Sequence, residues 1–230
     1  MWCEIVLRLA LAHVIGDFVL QTDEWCDKKM KFRLKSCHLY IHSFIIFLLT
    51  WCAFWNWSAW WIAAVMGVSH LAIDALKKRN GVWSFFWDQL GHIVFIIILG
   101  YVAADEGLYG NICGDPKIVT LLLFLLINAK PANILIKLLL REYSVTSMEN
   151  NNGEECDTGM LSGKLIGNLE RWLIIIFILC GQFEAIGFLI AAKSIIRYKE
   201  GAIGKTEYVL AGTLLSVLIA VISGLMLSVL

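Results

Sequence analysis

All five histidines of this 230-residue chain lie before residue 93, and each stands four residues from another histidine or from an aspartate. The stretches are HVIGD (His13, Asp17), HLYIH (His38, His42), HLAID (His70, Asp74) and DQLGH (Asp88, His92). On an α-helix, residues four apart differ by only about 40° in direction, so both members of each pair point the same way. Neutral imidazoles mixed with carboxylates suit a borderline divalent ion, zinc best, with manganese or iron as alternatives. Eight donors exceed one tetrahedral site. Either a carboxylate bridges two ions, or one ion takes three or four donors and the others orient them. Asp23 is a possible extra ligand. Such an ion makes water a nucleophile, and Asp88 or Asp17, if left off the ion, is placed to act as the catalytic base. The competing reading is a set of His–Asp hydrogen bonds that join four helices without any ion.

The elements that carry these pairs are apolar. The chain is 59% hydrophobic and 17% charged, with mean hydropathy +0.73, more apolar surface than one soluble core can hide. The fold class expected is therefore an all-α, polytopic membrane bundle whose solvent and partner is the lipid bilayer. With about 17–25 apolar residues per crossing, about eight transmembrane segments are predicted, at 2–21, 38–55, 58–77, 83–104, 117–140, 164–181, 184–198 and 207–229. The last boundary but one rests on the turn CGQFEAIG, Cys180–Gly187. A front bundle of five helices (1–146), a flexible polar cytoplasmic loop (147–162) and three back helices (163–230) follow from the polar insert SMENNNGEECDTG. Zero net charge and no long basic block speak against a nucleic-acid partner. Seven cysteines without a C-x-x-C read as scattered free thiols. The first segment carries Glu4, Arg8 and His13, and reads as a first membrane helix rather than a cleavable signal.

Lys and Arg set the orientation. The first connection holds Lys28, Lys29, Lys31, Arg33 and Lys35, and the third Lys77, Lys78 and Arg79. The fifth has Lys137, Arg141 and Lys164 around it, and the seventh Arg197, Lys199 and Lys205. The second and fourth have no positive charge. Odd connections are thus cytoplasmic and both termini outside, with Trp51, Trp55, Trp57, Trp60 and Trp61 at the outer interface and Trp83 and Trp87 at the inner one. All four pairs then fall in the cytoplasmic third of the bilayer, so the charge pattern and the histidine pattern agree independently.

The back half has fewer signals. Lys130, Asn133 and Lys137 share one face of the 117–140 segment and, with Arg171, form a possible substrate site for a phosphate or other anion; snorkelling lysines explain them equally well. Adjacent Glu170 and Arg171 cannot share a helix face, so at least one must meet another helix. Lys193 and Arg197 read as positive-inside anchors, and Glu4 with Arg8 as an ion pair.

The motifs AHVIGDFVLQTD, HLYIHS, SHLAIDALK and DQLGH, then KPANILIK, GKLIGNLER, GQFEAIGFLIAAKSIIR and EYVLAGTLLSV, resemble the bacterial and phage multi-pass family known as domain of unknown function 3307. That resemblance covers nearly the whole chain and implies a bacterial inner (cytoplasmic) membrane location, without naming an activity. A looser likeness is to inner-membrane metal-dependent hydrolases of the YdjM type, through His42-Ser43 and His70/Asp74, with Ile41 where that motif has threonine. It implies a metal-dependent hydrolase whose small-molecule or lipid substrate, a phosphoester or membrane-derived compound, arrives from the cytoplasmic side. The alternatives are a metal-ion or proton transporter, and a non-catalytic sensor or assembly protein with a structural site.

Overall fold

The computed structural model describes residues 2–54, 56–77, 81–106, 115–142, 157–198 and 206–229. Trp55, Lys78, Arg79, residues 107–114 of the fourth connection, residues 147–156 of the polar insert, Lys199 and Lys205 lie outside the described residues, as does the side chain of Arg197. Among the described residues every regular element is helical. Helix α1 (Trp2–Val14) continues as a π-helical turn over Ile15–Leu20. Then come α2 (Asp23–Phe32), α3 (Cys37–Phe54), α4 (Trp60–Leu76), α5 (Val82–Asp105), α6 (Pro116–Ile127), α7 (Lys130–Glu142), α8 (Asp157–Leu179), α9 (Phe183–Tyr198) and α10 (Thr206–Val229). Among the described residues, five stretches are long and apolar enough to cross a bilayer: Cys37–Phe54, Trp57–Leu76, Val82–Asp105, Pro116–Arg141 and Leu210–Val229.

Two local features depart from the sequence expectation. The first connection is itself a helix, α2. The Thr22 hydroxyl accepts from the Trp25 amide as its N-cap, and Asp23 and Glu24 at its start and Lys29 and Lys31 at its end complement the helix dipole. The exposed Glu24 carboxyl is held below its ordinary value by the hydrogen bond and charge of Lys28. The single 117–140 segment is two helices broken at Asn128 and Ala129. Pro131 lacks the amide a continuous helix needs there, and its ring crowds the carbonyl four residues back. The turn between α8 and α9 is where the sequence puts it. Gly181 adopts φ 70°, while the Gln182 amide reaches Phe177 O and the Gly181 amide reaches Ile178 O, a Schellman cap.

The chain divides into two compact units, Met1–Leu126 and Ile127–Leu230. In the first, α1, α3, α4 and α5 pack around Ile5, Leu9, Ile46, Ile62, Met66 and Ile96. Lipid tails are as apolar as these side chains, so close packing rather than water exclusion must hold the helices together. Glycines permit it. A Cβ on Gly100 would stand 2.5 Å from Val6 Cγ2, and one on Gly16 would stand 2.2 Å from Ile46 Cδ1. In the second unit, α8 packs on α10 through Ile174, Ile178 and Ala220.

Candidate metal centre

Gly16 lets the end of α1 lie directly against α3. The π turn that follows His13 carries Asp17, and π turns of this kind recur at functional sites. His42 arrives from α3, His70 and Asp74 from α4, and Asp88 and His92 from α5. Seven of the eight residues singled out by spacing therefore come together. His38 does not: its half-buried ring faces Trp25 of α2, with centroids 5.6 Å apart. Asp23 is exposed at the start of α2.

Three groups of donors converge among the described residues: Asp17/His42/His70, His13/His70/His92 and Asp74/Asp88/His92. The first is the tightest. His42 Nε2 lies 3.0 Å from His70 Nε2 and 3.1 Å from Asp17 Oδ1, and His70 Nε2 lies 3.0 Å from the same oxygen. No placement of protons makes all three edges of this triangle favourable. If both imidazoles donate to Asp17, the two nitrogens face each other with no hydrogen on the line between them. If one donates to the other, the acceptor turns its lone pair on the carboxylate. A triangle with edges of 3.0–3.1 Å has a circumradius of about 1.8 Å, inside the roughly 2.0–2.2 Å that zinc keeps from nitrogen and oxygen, so a single ion would be within reach of all three atoms.

The other imidazoles pack on this triangle. The His70 and His92 rings stack with centroids 4.1 Å apart, and His13 and His92 lie 4.8 Å apart. Gln89 Nε2 donates to Asp88 Oδ2, which turns its Oε1 to His13 Nε2. That network assigns the His13 proton to Nε2 and leaves Nδ1 with the lone pair. His13 Nδ1, His42 Nδ1, His70 Nδ1, Asp88 Oδ1 and His92 Nε2 are buried without a hydrogen-bond partner; they make up five of the nine such side-chain atoms among the described residues. Each buried unsatisfied group ordinarily costs about 1–3 kcal/mol, so five in one cluster call for an explanation.

Two of the three carboxylates have a lysine. Lys29 Nζ sits 2.5 Å from Asp74 Oδ2, and Lys77 Nζ sits 2.7 Å from Asp88 Oδ2. The opposite oxygens turn toward His92 Nε2, at 3.6 Å for Asp74 and 4.0 Å for Asp88. Asp74 Oδ2 is also 3.9 Å from His42 Nε2, so this carboxylate lies between the first and third donor groups. Among the described residues, the ion-pair partners of Asp17 are the imidazoles of His13, His42 and His70. At the end of α4, burial works against the Lys77 ammonium, but the charge and hydrogen bond of Asp88, with Asp74 behind it, raise its pKa on balance. On α2, burial pushes the Cys26 thiol up, so it stays protonated against Gln21. The sequence reading missed both lysines as site residues, because a positive charge beside a membrane helix is already explained by topology.

The residues expected to bind substrate lie in the second unit. Arg171 is 2% exposed. It donates from Nε to Asn128 O at 2.6 Å, from Nη1 to Ser216 Oγ at 2.9 Å, and from Nη2 to the Asn133 and Asn168 side chains at 2.6 Å each. Its fork thus ties α7, α8 and α10 together and caps the carbonyl freed where α6 ends. Glu170 pairs with Lys193 of α9, so both members of the adjacent Glu–Arg couple meet other helices and Lys193 is more than an anchor. Lys130 is half-buried and Lys137 is exposed. Glu4 and Arg8 form the expected ion pair at 3.0 Å.

A membrane-type helical bundle enclosing a His/Asp cluster thus describes the front of the chain. Residues 5–109 match the family described as protein of unknown function (DUF3307), a span that begins in α1, runs past the end of α5 and contains all seven clustered residues. Among curated proteins and solved structures, none matches.

Proposed function

We propose that the front bundle is an integral membrane metal-dependent hydrolase, acting from the cytoplasmic side on a phosphoester or another membrane-derived substrate. The observation that carries this reading is the triangle of Asp17, His42 and His70, 3.0–3.1 Å on each edge, with both imidazoles fully buried. Its three atoms stand at hydrogen-bond distance, yet no arrangement of protons satisfies all three edges together. Zinc fits the donor set best, and manganese or iron are compatible. When bound, the ion polarises an oxygen of the substrate and acidifies water.

The protein groups have distinct tasks in this reading. Asp17, His42 and His70 would hold the ion. Asp74 lies 3.9 Å from His42 Nε2 and 3.6 Å from His92 Nε2, and would lend its carboxylate to either donor group. Asp88 keeps one oxygen on Lys77 and the other unpartnered, so Oδ1 is the atom that accepts the proton of the attacking water. His13 and His92 wall the pocket and orient it. Beyond His13 the helices are packed with Leu9, Ile62, Met66 and Ile96, which supports a pocket open at one end over a path through the membrane. The lysine-rich end is the cytoplasmic one by the charge of the connections. α1, α8 and α9 complete eight crossings, with both termini outside.

The test uses the full chain in nanodiscs. Wild type and Asp88→Asn are both expected to retain a stoichiometric transition metal by elemental analysis. Turnover on a panel of phosphoesters is expected to fall roughly 10²–10⁴-fold in the variant. Wild type without metal, or an Asp88→Asn protein as active as wild type, would overturn the assignment.

A further inference from the structure

The two lysines are the cations of the cluster and its most exposed side chains. Lys77 is 28% exposed and Lys29 11%, against 10%, 8% and 6% for Asp17, Asp74 and Asp88, so the Lys77 ammonium in particular stands at the mouth. Both sit on the far oxygens of carboxylates whose near oxygens face His92. An ammonium has three N–H donors. Lys29 uses two, on Asp74 and Gln21, and Lys77 uses one, on Asp88. Three donors are left at the entrance, with neither lysine needing to leave its aspartate.

Charge makes the same point. With neutral imidazoles, Asp17, Asp74 and Asp88 contribute −3 and Lys29 and Lys77 contribute +2, a net −1. One divalent ion changes this to +1, and two change it to +3. A site that is negative when empty of metal becomes positive when loaded. With two ions bound its ligand is then an anion, and a dianion brings the site to +1 where a monoanion leaves it at +2.

We propose that Lys29 and Lys77 form the anion-binding pair of this centre, and that its ligand presents a dianionic phosphate group, as inorganic phosphate and phosphate monoesters do and phosphodiesters do not. The proposal rests on the metal reading above and adds the substrate class and two residues that recognise it. The lysines meet the phosphoryl oxygens while the carboxylates stay with the ion. They are binding residues, and neither is in contact with the triangle of Asp17, His42 and His70.

The experiment loads the purified full chain with metal in phosphatidylcholine nanodiscs and first measures the metal content. Equilibrium dialysis with inorganic phosphate then reads the soluble source of the group. Native mass spectrometry of nanodiscs containing phosphatidic acid or phosphatidylglycerol reads the lipid source. Lys29→Met and Lys77→Met are each expected to keep the metal and to bind phosphate or phosphatidic acid roughly ten- to a hundredfold more weakly, the value of a hydrogen bond to a charged group. Lys29→Gln and Lys77→Gln carry the same comparison if a methionine variant aggregates. Lysine-dependent binding of inorganic phosphate, or of phosphatidic acid over phosphatidylglycerol, supports the proposal, and which arm responds identifies the source. Metal-loaded wild type that holds neither phosphate nor phosphatidic acid overturns it, as do lysine variants that bind unchanged or phosphatidylglycerol held as tightly as phosphatidic acid. All three results leave the metal centre standing. Wild type that carries no metal overturns both.

Discussion

Replacing His70 by alanine removes the residue that the cluster depends on most. Its Nε2 stands 3.0 Å from both His42 Nε2 and Asp17 Oδ1, its ring stacks on His92 at 4.1 Å, and it belongs to two of the three donor groups. Structural zinc sites bind with about 10–16 kcal/mol spread over four donors, or roughly 2.5–4 kcal/mol for each. Losing one such donor weakens the ion about 70- to 900-fold. That loss is readable as stability. At a free metal concentration about 100 times the wild-type Kd, binding adds about 2.7 kcal/mol to the folded state. A variant about 300-fold weaker gains only about 0.2 kcal/mol at the same concentration.

The assay is thermal unfolding in nanodiscs with and without metal, comparing the metal-induced shift rather than the absolute midpoint. The difference matters because His70 is fully buried, so alanine also leaves a cavity that destabilises the protein whether or not metal is present. His38→Ala is the control, since that ring faces Trp25 and stands apart from the cluster. The expected pattern is a metal-induced shift in wild type and in His38→Ala, and almost none in His70→Ala. A His70→Ala protein that gains as much from metal as wild type does would refute the triangle as an ion site. So would a His38→Ala protein that loses the whole shift.

Two further outcomes concern the frame around the site. Gly100→Ala places a methyl 2.5 Å from Val6 Cγ2 and is expected to destabilise the protein by about 1–3 kcal/mol, with Val6→Ala in the same chain recovering most of it; an equilibrium unfolding series on the single and double variants checks both. Arg171→Leu removes four hydrogen bonds, worth about 0.6 kcal/mol each in membrane proteins, so stability should fall by about 2–3 kcal/mol with metal affinity unchanged; unfolding and metal titration of one preparation report both.

What could be read from the sequence followed helix periodicity, and what could not depended on contacts between elements. The spacing of four is local, so the pairs of α1, α4 and α5 were visible as faces and the bundle brings those faces together. His38 carried the same signal and fails it, because α2 offers the ring a neighbour in Trp25. A short amphipathic helix inside a basic connection is easily read as the connection itself. Pro131 carried the break between α6 and α7, but apolar length outweighed it in a count of crossings. The couple Glu170 and Arg171 was legible as two diverging faces; that Lys193 receives one and three helices share the other is a property of packing.

The least legible step is also the one on which the centre turns. Asp17 sits four residues after His13, a spacing that in a regular helix would simply pair the two. Instead the backbone widens into a π turn at Ile15–Leu20, and His13 Nδ1 stays 3.8 Å from the carboxylate, beyond a hydrogen bond. The widening turns Asp17 toward α3 and α4, and Gly16 lets α3 come close enough for His42 to meet it. Lys29 and Lys77 reach Asp74 and Asp88; Asp17 lies among rings, with no lysine or arginine paired to it among the described residues. An ionised carboxylate is costly inside a membrane bundle unless it is paired. Two histidine nitrogens stand 3.0 and 3.1 Å from Asp17 Oδ1, and a divalent cation held by these three atoms would supply the pairing that the described lysines and arginines do not.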